Sequence, residues 1–213
     1  MGKCVIFCAG GFDRLLMPIA DDDYIIAADG GYAHVQKLGL TPHCLLGDFD
    51  SLGYTPDHAL VYPTKKDDTD AMLAVRRGLA LGYKEFLLYG SLDGPRLDHT
   101  LANVQLLHFL ASQGAIGWLI GNSSVAMVLK NGTARFPTGC TGYFSLFCLG
   151  ANASGITVKG AEYPLENGTL QPDFPLGVSN RFTGEAVRLS VKDGALLMIW
   201  DRENGLCEVT DER

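Results

Sequence analysis

The chain has 213 residues, of which 47% are hydrophobic and 19% charged, with a net charge of -7. That balance belongs to a globular protein of one large or two small domains, not to a disordered chain. The acidic excess argues against a broad grip on nucleic acid, which calls for a basic face, and no stretch approaches the ~18 apolar residues of a membrane span.

In chain order, Cys4 to Ala9 reads as a strand ended by Gly10-Gly11, and Tyr24 to Ala28 as a second ended by Asp29-Gly30-Gly31. Tyr32 to Leu38 has a helical pattern with Gly39 placed to end it. Cys44 to Leu46 and Leu60 to Tyr62 are short strands. Residues 70 to 81 read as a helix with Met72, Val75 and Leu79 on one face. Phe86 to Tyr89 is a strand. Residues 98 to 112 form a long helix with Leu101, Val104 and His108 at helical spacing, and Ile116 to Ile120 is a further strand. Strands alternating with helices predict an α/β domain with a mainly parallel sheet and flanking helices.

From about residue 131 the pattern changes. Asn131-Gly132 signals a turn, and Tyr143 to Leu149, Ile156 to Lys159, Ala186 to Val191 and Leu196 to Trp200 read as strands between Gly, Pro and Asn. A small all-β sandwich or barrel is expected. The boundary falls near residue 130, giving domains 1–130 and 131–213.

The six cysteines include no C-x-x-C pair, so zinc-site spacing is missing. The N-terminus lacks a basic region followed by an apolar stretch and a cleavage site, and a cytoplasmic location with reduced thiols is expected. Without a secretion signal, the N-x-S/T triplets at Asn122, Asn131, Asn152 and Asn167 read as turn chemistry.

The acidic residues carry the chemistry. Asp29 follows the second strand, Asp48 and Asp50 the third, Asp67, Asp68 and Asp70 the fourth, and Asp93 and Asp98 the strand after that. In a parallel sheet all of these gather at the carboxyl edge, where ligands bind in open α/β folds. Asp48 and Asp50, two apart in an extended segment, point the same way. Asp67 and Asp70, three apart at a helix start, share a face. Helix capping is the plain alternative for Asp67 and Asp68. So many like charges at one edge repel unless a cation joins them, and hard oxygen ligands suit Mg²⁺. Gly10-Gly11, Gly30-Gly31 and Gly90 let the backbone come close to a bulky ligand, or simply end strands. No P-loop or G-x-G-x-x-G is present. Arg96 could hold a phosphate, with Asp98 and His99 opening a helix whose free N–H groups attract anions; a surface arginine beside a capping aspartate is the alternative.

Asp29-Gly30-Gly31, Leu46-Gly47-Asp48-Phe49-Asp50-Ser51, Asp67-Asp68-Thr69-Asp70, Gly94-Pro95-Arg96-Leu97-Asp98-His99 and Val178-Ser179-Asn180, in that order, resemble the motifs of thiamine pyrophosphokinases. The resemblance covers nearly the whole chain. It implies an α/β nucleotide- and metal-binding catalytic domain followed by a β-sandwich that binds thiamine and makes a homodimer. It implies transfer of pyrophosphate from ATP to the hydroxyl of thiamine, giving thiamine diphosphate and AMP. By the same resemblance Asp48, Asp50 and Asp70 hold Mg²⁺ on the triphosphate, and Asp29 and Asp98 orient the thiamine hydroxyl or a second metal. Arg96 and His99 serve the phosphates, beside the Gly30-Gly31 turn, and Ser179 and Asn180 contact the thiamine pyrimidine. An aromatic face such as Trp118 or Trp200 suits the cationic thiazolium, although both tryptophans also read as core. The competing expectations are a Mg²⁺-dependent nucleotide phosphohydrolase and a non-catalytic nucleotide- or thiamine-binding regulator.

Overall fold

The computed structural model describes residues 2–50 and 52–210. The chain divides into two compact units, Met1–Asn122 and Ser123–Arg213.

The first unit contains β1 (Cys4–Phe7), β2 (Tyr24–Ala28), α1 (Gly31–Lys37), β3 (Cys44–Gly47), β4 (Leu60–Val61), α2 (Asp70–Ala80), β5 (Glu85–Tyr89), α3 (Leu97–Ser112) and β6 (Ile116–Ile120). The strands lie in the order β6-β5-β1-β2-β3-β4 and every pair is parallel. β1, β2, β5 and β6 are buried almost throughout. That double-sided burial explains why they read as continuous apolar runs without alternation.

The helix faces differ from expectation. α2 buries Ala71, Ala74, Val75 and Gly78, not a Met72–Val75–Leu79 stripe. The contact face is made of small residues because the helix lies close to the sheet: a Cβ on Gly78 would sit 2.5 Å from the Phe86 ring and 2.8 Å from the Cys4 sulfur. α3 buries Asn103, Leu106, Leu107 and Leu110, while Leu101, expected inside, is 59% exposed. This helix is apolar on several sides, so periodicity alone leaves its rotation undetermined. What sets it is the fit of Leu107 and Leu110 over Gly117 and the bond from Asn103 Nδ2 to the Ser91 carbonyl, 2.8 Å. No helix among the described residues is long and apolar enough to cross a membrane.

The second unit is antiparallel: β7 (Ser124–Phe136), β8 (Tyr143–Cys148), β9 (Ala153–Lys159), β10 (Leu165–Leu170), β11 (Asn180–Arg181), β12 (Val187–Asp201) and β13 (Glu208–Thr210), with a 3₁₀ turn at Arg202–Asn204. The two strands expected at 186–191 and 196–200 are one strand, β12, and the turn expected at Asn131-Gly132 lies inside β7. Both departures have one cause. The pairing shifts between Val191↔Gly132 and Ala195↔Lys130, a bulge that bends both strands without ending them. Asn131 has a φ of 48°, and its Oδ1 accepts the Gly194 N–H at 2.9 Å, across the bulge. The local backbone is turn-like, but the neighbouring ladder continues. β12 then pairs β9 before the bulge and β8 after it.

Candidate functional site

The all-parallel sheet brings Asp29, Asp48 and Asp50 to its carboxyl edge as expected. The Asp29 N–H donates to the Leu46 carbonyl at 2.8 Å, tying the end of β2 to β3. Gly47, at φ 148°, leaves little room for a side chain: a Cβ would meet the Asp29 backbone at 3.0 Å. The segment after it is not extended. Phe49 has a φ of 57° while its ring is buried, so the chain turns around an anchored aromatic. A bulky residue at positive φ is strained, a condition that concentrates at functional positions. The Asp50 N–H then donates to Asp48 Oδ1 at 3.3 Å. Ser51, the last residue of this motif, lies outside the described residues. Around this turn, one carboxylate oxygen each from Asp29, Asp48 and Asp50 lies within 4.8 Å of the others. Three clustered oxygens are a donor set for a hard cation such as Mg²⁺.

Asp70 stands beside this group through Lys66, a residue the sequence reading passed over. Lys66 Nζ lies 3.2 Å from Asp48 Oδ2 and 3.1 Å from Asp70 Oδ1. Its signal was the four-residue spacing from Lys66 to Asp70. Burial pushes the Asp70 carboxyl above its ordinary value; Lys66 opposes this, while Asp48 and Asp29 add to it. For Asp48 burial also pushes upward, but the Asp50 N–H and Lys66 outweigh it and the carboxyl falls below its ordinary value. Burial would lower Lys66, yet Asp70 and Asp48 hold it above its ordinary value.

The remaining acids do other work. Asp67 is exposed, and Asp68 pairs with Arg76 at 3.1 Å. The α2 cap is Thr69, whose hydroxyl accepts from the Met72 N–H. Asp93 braces the glycine loop: its carbonyl takes the Gly11 N–H at 3.0 Å, and its carboxylate accepts the Asn122 N–H. Arg96 and Asp98 pair with each other at 2.6 Å, both largely exposed, and Asp98 does not cap α3. That pairing holds the Asp98 carboxyl below its ordinary value. His99 is exposed on the first turn of α3.

Among the glycines, Gly31 is a packing position: a Cβ there would clash with the Phe7 carbonyl. Gly30 is the residue preceding α1. Gly10 donates to the Gly90 carbonyl at 2.9 Å, closing the junction of β1 and β5 where the chain order reverses. His34, to which the sequence assigned nothing, bonds the Gly10 carbonyl through Nε2 at 2.8 Å and packs on Phe12.

In the second unit Ser179 is exposed at φ 61°, its N–H bonded to the Ser145 hydroxyl. Asn180 is buried and engaged with the chain itself. Its Oδ1 accepts from the Tyr163 and Arg181 N–H groups, and its Nδ2 donates to the Tyr163 carbonyl at 2.7 Å. Trp118 and Trp200 are both core, at 4% and 2% exposure, so neither offers an open ring face to a cation.

Two family descriptions match the chain. "Thiamin pyrophosphokinase, catalytic domain" matches residues 17–116, and "Thiamin pyrophosphokinase, vitamin B1 binding domain" matches residues 134–196. A thiamine pyrophosphokinase of Bacillus subtilis (strain 168) is 26% identical over 92% of this chain and 98% of its own length. The crystal structure of a thiamine pyrophosphokinase from Bacillus subtilis superposes with a TM-score of 0.80 at 24% identity, covering 94% of this chain and 99% of that one. A thiamin pyrophosphokinase family protein from Enterococcus faecalis gives 0.79 at 25% identity, over 94% and 99%. The thiamin pyrophosphokinase of Candida albicans, at 16% identity, still reaches 0.73 over 94% and 89%.

Proposed function

The chain belongs to the thiamin pyrophosphokinase family, enzymes that make thiamine diphosphate, and from that membership we propose that it transfers the pyrophosphoryl group of ATP to the hydroxyl of thiamine with Mg²⁺, releasing AMP. The observation that carries the metal and phosphate part is the convergence of Asp29, Asp48 and Asp50 oxygens within 4.8 Å at the carboxyl edge of the parallel sheet. Asp48 and Asp50 are the proposed Mg²⁺ ligands, with Asp70 proposed to complete the set once Lys66 moves aside. Bound there, the ion would neutralise charge on the triphosphate.

The protein's own part is alignment. The thiamine hydroxyl attacks the β-phosphorus, the bond to the α-phosphate oxygen breaks, and AMP leaves. The attacking proton passes to a nearby carboxylate, for which Asp29 is the candidate because it lies beside the metal set. Asp98 is proposed to assist after its pair with Arg96 opens, freeing Arg96 and, with it, His99 for phosphate oxygens. The Gly30 turn gives the triphosphate backbone to lie against.

The second unit is proposed to act as the thiamine-binding domain and to join a partner copy. Exposed Tyr143, Tyr163, Phe174, Leu176 and Val178 give it an apolar surface suited to both tasks. Ser179 is the candidate pyrimidine contact. Asn180 is proposed to hold the strand that presents it, and to offer the second hydrogen of its amide. A β-sandwich arrangement and a cytoplasmic location complete this reading.

The test is AMP release from ATP and Mg²⁺ with and without thiamine, with thiamine diphosphate followed by chromatography. The proposal requires both products to rise together only when both substrates are present. ATP hydrolysis that ignores thiamine would replace it with a phosphohydrolase, and binding without turnover with a regulator.

A further inference from the structure

Lys66 is in an unusual place for a lysine. Its side chain is only 14% exposed, with its ammonium 3.2 Å from Asp48 Oδ2 and 3.1 Å from Asp70 Oδ1. It precedes the Thr69 cap of α2, near the helix end where the dipole disfavours a cation. Ordering a long, flexible side chain there also costs entropy. What offsets both is the pair of carboxylates. One of them, Asp48, belongs at the same time to the oxygen cluster with Asp29 and Asp50. Asp48 therefore faces two ways: Oδ1 takes the Asp50 N–H, and Oδ2 faces the ammonium.

We propose that Lys66 is a built-in counter-ion that holds Asp48 and Asp70 together in the metal-free protein, and that a divalent cation must displace its ammonium to engage both carboxylates. This rests on the metal reading given above and adds to it a residue with an opposing role. The lysine keeps an acidic edge folded when no metal is present and, by competing for the same oxygens, weakens the metal's hold. A site of this kind binds metal less tightly than its carboxylates alone would. It releases a free ammonium when it does bind, beside a substrate that carries a polyphosphate.

The experiment is a calorimetric titration of Mn²⁺ into the full chain without nucleotide, for wild type, K66M and D48N, together with thermal melting in EDTA and in Mn²⁺. K66M is expected to bind Mn²⁺ roughly two- to fivefold more tightly, the scale of one ion pair. It should also melt lower than wild type in EDTA and gain more from added Mn²⁺. K66Q should behave in the same way and serves if K66M is not obtained folded. Mn²⁺ affinity in K66M and K66Q equal to or weaker than that of wild type overturns the counter-ion role, even though the metal site stands. No Mn²⁺ binding by wild type, or undiminished binding by D48N, removes the metal site and the proposal with it.

Discussion

Lys66 Nζ lies 3.1 Å from Oδ1 of Asp70, four residues further along the chain. The contact ties the loop after β4 to the first turn of α2, so Asp70 is positioned before any ligand arrives. The carboxylates around it are the first targets for substitution. Asp48→Asn or Asp50→Asn should cut thiamine-dependent AMP release by roughly two orders of magnitude or more, with an unchanged circular dichroism spectrum. Relieved repulsion should leave the metal-free variants at least as stable as the parent where Lys66 is not involved, as for Asp50→Asn. Near-normal rates at limiting Mg²⁺ in both variants would remove these residues from the metal set.

Burial pushes the Cys4 and Cys8 thiols up to about 12, from an ordinary 9.0, with a smaller contribution from Cys44 and Asp23 at Cys4 and from Asp70 at Cys8. Both should therefore resist iodoacetamide at pH 8 in the folded protein and react on unfolding, as read by mass spectrometry. The linkage has a definite sign. Between 9 and about 12 the folded protein keeps protons that the unfolded chain releases. Stability should be indifferent to these thiols below pH 9 and fall as pH rises through that window. Denaturation midpoints should decline less steeply in Cys8→Ala.

Gly31→Ala places a Cβ against the Phe7 carbonyl, whereas Gly94→Ala meets only the Gly10 Cα at 3.8 Å. The first should lose about 1–3 kcal/mol or more, because β1 backbone cannot move aside; the second should stay within about 0.5 kcal/mol. Equal melting temperatures would show that α1 does not depend on this close approach.

Asn180→Ala removes three bonds to backbone groups of Tyr163 and Arg181. A loss of about 1–3 kcal/mol is expected from groups left unpaired. Ser179→Ala removes no bond made by the hydroxyl in this structure; it should raise the KM for thiamine and leave melting unchanged. If Ser179→Ala leaves KM as it was, the pyrimidine contact belongs elsewhere.

Arg96→Ala breaks an exposed pair with Asp98, so the melting temperature should hold. A phosphate role predicts a raised KM for ATP or a lower kcat in the same variant, and wild-type kinetics would assign Arg96 to the surface.

The alternation of apolar runs with helical patterns was enough to read every strand of the first unit, and the five short motifs were enough to read the family. These signals are local: a fully buried parallel strand needs a continuous apolar run, and a metal-phosphate edge needs acids after the strands. The rotation of α2 and α3 was not legible, because a helix with apolar residues on several sides can turn either way until a glycine such as Gly78 or Gly117 opens a place for it. Nor was the continuity of β7 and β12. A bulge at Asn131 and Gly194 carries the same residues as a turn, and only the ladder on either side decides between them.

The sequence by itself determined which residue types could do the chemistry and roughly where they stand along the chain. The tertiary structure alone decided how they share it: Asp29, Asp48 and Asp50 converge, Lys66 holds Asp70 to Asp48, Asp93 is spent on a glycine loop, and Asn180 on its own backbone. The reason is that a carboxylate's role depends on which donors or cations lie within about 3–4 Å. Some of those neighbours are local, as Lys66 is to Asp70, but those that join Asp29 to Asp48 and Asp93 to Asn122 come from segments well separated in sequence and meet only when the sheet forms.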